Sequence, residues 1–399
     1  MRVLLINATY DYGSTGSIVQ NIARCCSNSG VDCYIAYAFS RNVVLENSFK
    51  IGGKLSRFLH SILSRIGGKQ GYFSSFATRR LTKYMSQVKP DVVHLHNLHS
   101  SYIHLNLLLK YLAEKNIPTI VTLHDCWFYT GGCTHYTSVK CDKWKYSCGQ
   151  CPRRYDETPA YLYDGSSSVI KDRKKYFREI KRLKVTGVSK WITEEAISGI
   201  FKGREHAVIY NGIDLKVFKP TPSDFRNRNN IENKFVILGP ASKWLDPLND
   251  EDLSFLLSQM NNDEVFVVYG SNTEDIKYDG KLIIIGFIHD EKTLAGLYSS
   301  ADVFVNCTHE ESLSLVNLEA QACGTPVVTY DGTGVQETVN NICGFSVQQN
   351  DVFSLCNKIK FVKEKGKDYF SADCVNWVNS HFNMLDNYIK YIDLYKSMV

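Results

Sequence analysis

Short apolar segments alternate with helix-patterned segments along almost the whole chain, and this restricts the fold more than any other feature. In the first half, strand-like runs occupy residues 2–7, 32–39, 91–97, 119–125, 184–189 and 207–214. A second set begins at 234–242 and continues at 265–271, 282–288, 301–307 and 325–330. Apolar strands separated by helices form parallel sheets covered on both faces. The polar, Pro- and Asn-bearing stretch 215–233 reads as a linker between the two sets. The sequence therefore predicts an α/β chain of two doubly wound, Rossmann-like domains facing across a cleft. The first covers residues 1–215 and the second 216–375, with a final helical segment at 376–399. In open sheets of this type the ligand sits at the carboxyl ends of the strands.

At 399 residues, 44% hydrophobic and 22% charged, the composition is that of an ordinary water-soluble protein. The chain has no uninterrupted apolar run long enough for a transmembrane helix. Met1 is followed directly by a strand-like run rather than by a secretory leader, so a cytoplasmic location is expected. The net charge of +5 is unevenly spread. Residues 50–88 hold eight Lys/Arg and no acid, and residues 170–184 hold eight Lys/Arg against two acids. Both stretches carry apolar residues at helical spacing: Phe58, Ile62 and Ile66 in one, Phe177, Ile180 and Leu183 in the other. Docking on an anionic membrane surface, packing as solvated helices and nucleic-acid binding are the three readings of such segments. No nucleic-acid module accompanies them, so no nucleic-acid partner is expected.

The chemistry-bearing stretch is HEESLSLVNLEAQACGTPVVTY, which places Glu311 in a loop and Glu319 eight positions on, in a helix over 315–323. The helix start at Ser314, Leu315 and Val316 offers unpaired N–H groups that favour an anion. Two carboxylates flanking a phosphate seat suit a ligand with hydroxyls at both ends and a diphosphate between them.

This stretch resembles the Glu-x7-Glu signature of family 4 retaining glycosyltransferases. The segments INATYDYGSTGSI, HLHNLH, TLHDCWFYTGGC and YNGIDLKVFKP extend the likeness over the whole chain, in the order of the subgroup that builds bacterial surface polysaccharides. The resemblance implies a GT-B fold whose last helix crosses back onto the first domain. It implies a nucleoside-diphosphate sugar donor on the second domain and a lipid-linked saccharide acceptor on the first, at the inner face of the plasma membrane. Glu311 and His124 would orient the sugar, and Glu319 would hold the ribose. Gly13 and Gly16 would lie beside the sugar phosphate, and backbone near Phe287 and Ile288 would read the base, alongside Tyr269, Gly270 and Gly286. Gly332, Gly334 and Glu337 would shape the site. No cofactor is required for the chemistry implied. One departure stands out. Where the subgroup carries Arg-Lys-Gly to neutralise the diphosphate, this chain has Pro247, Leu248 and Asn249, and Lys243 is the nearest cation.

His124 and Asp125 end one strand-like run, where an open sheet puts its ligand, and His94, His96 and His99 cluster at the end of another, either as part of an acceptor pocket or as a set bonded to itself. The segment 126–152 reads as a Cys-rich insert, in which Cys133, Cys141, Cys148 and Cys151 are spaced as Cys-x7-Cys-x6-Cys-x2-Cys. A structural tetrathiolate zinc site, a pair of disulfides and reduced thiols are the three readings. Two other functions share the expected architecture: a nucleotide-sugar epimerase and a binding homologue without catalysis.

Overall fold

The computed structural model describes residues 1–41, 46–156, 159–271, 276–278 and 280–399. The chain divides into two compact units, Met1–Tyr210 with Asn387–Val399, and Asn211–Asp386. The division thus falls ahead of the polar linker rather than at 215. The helix Lys367–His381, which a boundary at 375 would cut, lies wholly in the second unit.

The first unit is built on seven strands: β1 (Arg2–Tyr10), β2 (Asp32–Ser40), β3 (Ser48–Lys50), β4 (Val92–Leu95), β5 (Thr119–Leu123), β6 (Leu183–Gly187) and β7 (Glu205–Val208). Their order is β3-β2-β1-β4-β5-β6-β7, and every pairing is parallel. Val3, Leu4, Leu5 and Ile6 are fully buried, as a central strand covered by helices on both faces requires. The end of the chain completes this core. The helix Met384–Lys396 buries Tyr391 and Tyr395, and the Tyr395 hydroxyl lies 2.7 Å from His94 Nδ1.

The second unit has strands β8 (Phe235–Pro240), β9 (Glu264–Ser271), β10 (Ile276–Tyr278), β11 (Leu282–Gly286), β12 (Val303–Asn306), β13 (Val327–Tyr330) and β14 (Gly344–Val347). They run in the order β10-β11-β9-β8-β12-β13-β14, with β10 antiparallel at one edge and the rest parallel.

The two basic segments take different structures. The helix Ser166–Glu179 turns Val169, Ile170 and Phe177 inward, and Ile180 and Leu183 are buried beyond it. Its Arg173 is buried too, lying 3.9 Å over the Trp127 ring and donating to the carbonyls of Trp127 and Thr130. A membrane-facing apolar side is therefore absent from this helix, because its apolar residues and one of its cations are used in packing. The helix Lys54–Gly67 is the opposite case. Its one buried residue is His60, while Phe58 is 62% exposed and Leu55, Leu59, Ile62, Leu63 and Ile66 are all exposed. Among the described residues no helix is long and apolar enough to cross a membrane.

Candidate functional site

In the second unit the strand order reverses between β8 and β12, and the chains leaving these two strands carry the candidate residues. After β8, a short helix Ala241–Trp244 is locked by Trp244, which is fully buried and donates from Nε1 to the Val305 carbonyl at 2.9 Å. Gly239 makes room for that indole, since a Cβ there would stand 2.5 Å from its ring. Lys243 is held on this turn. The departure at 247–249 forms a 3-10 turn whose Asn249 is buried. Its amide donates to the Lys243 carbonyl at 2.9 Å, and its Oδ1 lies 2.9 Å from His309 Nε2. The residue at the subgroup's glycine position thus ties the Lys243 turn to the loop carrying Glu311.

That loop follows β12 and is tied at both sides of its acid. The Glu311 N–H points to Thr333 Oγ1 at 3.4 Å, and its carbonyl accepts from Gly334 N at 3.2 Å. The Gly332–Gly334 segment therefore holds Glu311 directly. Thr308 Oγ1, Glu311 Oε2 and Ser312 Oγ are closed to solvent and have no hydrogen-bond partner. Three such atoms in five residues form a cluster of buried polar groups with hydrogen-bonding capacity left over. Burial raises the pKa of Glu311, against the lowering pull of the nearby Lys243 ammonium.

The helix Leu315–Ala322 begins at Ser314, whose side chain makes no cap. Its hydroxyl instead accepts from Asn306 at 3.0 Å, and Asn306 also donates to Asn317. The first N–H groups of the helix thus stay available for an anion. Four residues into the helix, Glu319 Oε2 accepts from the Tyr298 hydroxyl at 2.9 Å, and Tyr298 in turn lies 2.6 Å from the Tyr269 hydroxyl. Burial pushes Glu319 up to about 7, against the Tyr298 hydrogen bond and with Glu291 and Glu311 adding to the rise. Tyr298 escaped the sequence reading because it lies in the helix Glu291–Ser300, outside the motif. Phe287 and Ile288 follow the end of β11, with Phe287 exposed and stacked 5.8 Å from His289.

In the first unit β1, β4 and β5 are neighbours, so the segments after their carboxyl ends share one edge. After β1 comes a turn with Asp11 and Gly13 at φ 68° and 69°, and then the helix Gly13–Asn28. A Cβ on Gly16 would stand 3.0 Å from Thr9 Oγ1, so glycine lets this helix start close to the strand. After β4 and β5, His96 Nδ1 and His124 Nε2 are 2.9 Å apart. Their other ring nitrogens are buried without partners. Burial lowers His124 to about 4, with Asp125 opposing and His99 adding to the fall, so its ring is neutral at pH 7. It serves there as a hydrogen-bonding group, not as a cation. His99 Nε2 lies 3.0 Å from Asp125, whose other oxygen accepts from Trp127 N. His94 is removed from the acceptor reading: both its nitrogens are engaged, by Tyr395 and by Thr122 at 2.6 Å.

Cys133, Cys141, Cys148 and Cys151 line one cavity of about 40 Å³. None of them is disulfide-bonded. Sharing a wall is not converging on a point, however. Among the described residues no group of three or more His, Cys, Asp or Glu side chains is arranged to hold a metal ion. Burial also raises the Cys148 thiol, to about 11.

Residues 15–217 match the family model described as Glycosyltransferase Family 4, and residues 228–364 match the one described as Glycosyl transferases group 1. The chain belongs to glycosyltransferase family 4. A relative, the putative colanic acid biosynthesis glycosyl transferase WcaC of Escherichia coli K12, is 22% identical over 67% of this chain and 66% of its own. Another, the Escherichia coli UDP-Gal:alpha-D-GlcNAc-diphosphoundecaprenol alpha-1,3-galactosyltransferase, is 28% identical over 48% of this chain and 54% of its own. The chain thus spans under two thirds of the length of either. Anabaena HepE, solved with UDP, superimposes over 100% of both chains with a TM-score of 0.68 at 15% identity, which establishes the GT-B fold of two Rossmann-like units for this family member.

Proposed function

We propose that the chain is a retaining glycosyltransferase that moves a sugar from a nucleoside-diphosphate sugar to a lipid-linked saccharide in surface-polysaccharide synthesis. The observation that carries this reading is the set of unpartnered buried atoms around Glu311, beside Lys243 and an uncapped helix start, at the strand-order reversal of the second unit. Glu319 accepts from the ribose hydroxyls, the N–H groups of Leu315 and Val316 meet the diphosphate, and Glu311 meets the sugar. The bond from the anomeric carbon to the phosphate oxygen breaks on the face where the acceptor hydroxyl adds. The departing phosphate oxygen takes the acceptor proton, so positioning and charge stabilisation supply the catalysis. The HepE complex with UDP supports the donor class, and the diphosphoundecaprenol acceptor in the galactosyltransferase's name supports the acceptor class. Incubating the purified protein with a panel of nucleotide-sugars and a short-chain polyprenyl-diphosphate saccharide is expected to give one donor-dependent product with unchanged anomeric configuration. Epimerised free donor, or donor binding with no product from any pair, replaces this reading with one of the two rivals.

The protein docks on the inner face of the plasma membrane through the exposed apolar side of the helix Lys54–Gly67. The L59E/L63E double variant is expected to lower binding to phosphatidylglycerol vesicles by about tenfold or more, given the apolar area of two leucines. Equal sedimentation of variant and wild type with these vesicles refutes the docking.

A further inference from the structure

The first unit contains an open cavity of about 580 Å³ that the donor chemistry leaves unused. Its wall includes Arg57, Phe58, Ser61, Arg65, His99 and Ser101. Such a volume is that of a small-molecule site. The two arginines are held in place by neutral groups. Arg57 lies 4.5 Å over the Phe39 ring and donates to the Ala38 carbonyl at 3.3 Å, and Arg65 donates to the Ser61 carbonyl at 3.2 Å. Neither forms an ion pair among the described residues. Two guanidinium groups without counter-charges in one cavity favour an anion with several oxygens, which each can meet by paired N–H donors.

The cavity floor is conformationally constrained as well. Ser100 and Ser101 have φ values of 79° and 61°, a left-handed backbone that serine keeps only where its surroundings impose it. The Ser100 hydroxyl lies 3.1 Å from His99 Nδ1, so this turn is coupled to the His99–Asp125 pair. A recess of about 60 Å³ shares Ser61, Arg65 and Ser101 with it. The helix supplying both arginines also carries the exposed apolar side formed by Leu55, Leu59, Ile62, Leu63 and Ile66.

We propose that this cavity seats the diphosphate of a polyprenyl-diphosphate-linked acceptor on Arg57 and Arg65, with the polyprenyl chain running along the apolar side of the helix Lys54–Gly67. The inference rests on the glycosyltransferase reading and deepens it by naming the anchor of the acceptor. The arrangement sorts acceptors by their anionic link rather than by their sugar.

The test is titration of the full-length protein with farnesyl diphosphate in saturating UDP, which fills the donor phosphate seat of the second unit. Farnesol and phosphatidylglycerol vesicles are the comparison ligands. Farnesyl diphosphate is expected to bind and farnesol to bind at least about tenfold more weakly. The R57Q/R65Q double variant is expected to lose about tenfold or more in farnesyl diphosphate affinity, as lost charge-assisted hydrogen bonds imply, with UDP affinity unchanged. The R57K/R65K variant is expected to recover part of the loss. Unaltered farnesyl diphosphate binding in R57Q/R65Q overturns the proposal. So does an equal loss of binding to vesicles that contain no diphosphate, which would assign the arginines to a lipid headgroup. Absence of UDP binding would count against the glycosyltransferase reading instead, and the arginine comparison would still decide the cavity.

Discussion

Glu319→Gln is expected to weaken binding of UDP, and of UDP-sugars, by about a hundredfold. A buried carboxylate that accepts from two ribose hydroxyls makes two charge-assisted bonds, and each contributes about 1.5–3 kcal/mol. Gln keeps the shape and can still accept from Tyr298, so the loss reports the charge and the acceptor geometry rather than a cavity. Calorimetric titration measures it, and an unchanged dissociation constant would remove Glu319 from the site. The pH dependence follows from the same carboxyl. In the free protein Glu319 stands at about 7, and a ribose held by it as proposed would need its ionised form as acceptor. Affinity for uridine, which has no phosphate to titrate, is therefore expected to fall as the pH drops below about 7. E319Q should show no such fall. Stability runs the other way. A carboxyl whose pKa is higher folded than unfolded stabilises the fold below the unfolded pKa, and that contribution is lost as pH rises through the folded value. E319Q should thus gain melting temperature over wild type at pH 8 and not at pH 4.

Lys243→Ala is expected to lower kcat by about 10²–10³-fold with a smaller change in KM, since stabilising a departing diphosphate contributes several kcal/mol. The reason lies in the position of the side chain. Lys243 is on the turn after β8, close enough to Glu311 to oppose the effect of burial on that acid. Its turn is fastened by Trp244 to the Val305 carbonyl and by Asn249 to His309. With Pro247 and Leu248 at the positions where the subgroup has its cations, Lys243 is the cation proposed to meet the diphosphate. Lys243→Arg should retain more turnover than Lys243→Ala. Wild-type kcat in Lys243→Ala would show that the leaving group is stabilised by the helix start alone.

The strands legible in the sequence were those with long apolar runs, such as β1, β9 and β12. The sequence reading passed over β3, β10 and β14, and each of them is an edge strand of three or four residues. An edge strand pairs on one side only, so it needs no continuous apolar run and leaves no periodic signal. The same limit applied to the basic segments. Residues 54–67 and 170–184 look alike as patterns of cations and apolar residues. In the fold one leaves its apolar side exposed, and the other buries Phe177 and even Arg173.

Local order along the chain was enough to determine the alternation of strands and helices, the Glu311 loop and the helix start at Ser314. These depend on apolar spacing and on backbone groups left unpaired at a helix end, which are properties of neighbouring residues. Tertiary structure decided which distant side chains meet them. Tyr298 reaches Glu319 from a separate helix, Asn249 joins Lys243 to His309, and Tyr395 takes up His94 across some three hundred residues of chain. It also decided that four cysteines spread over nineteen residues line a single cavity. The physical reason is that hydrogen bonds and metal sites depend on tenths of an ångström between side chains, and sequence spacing sets no such distance.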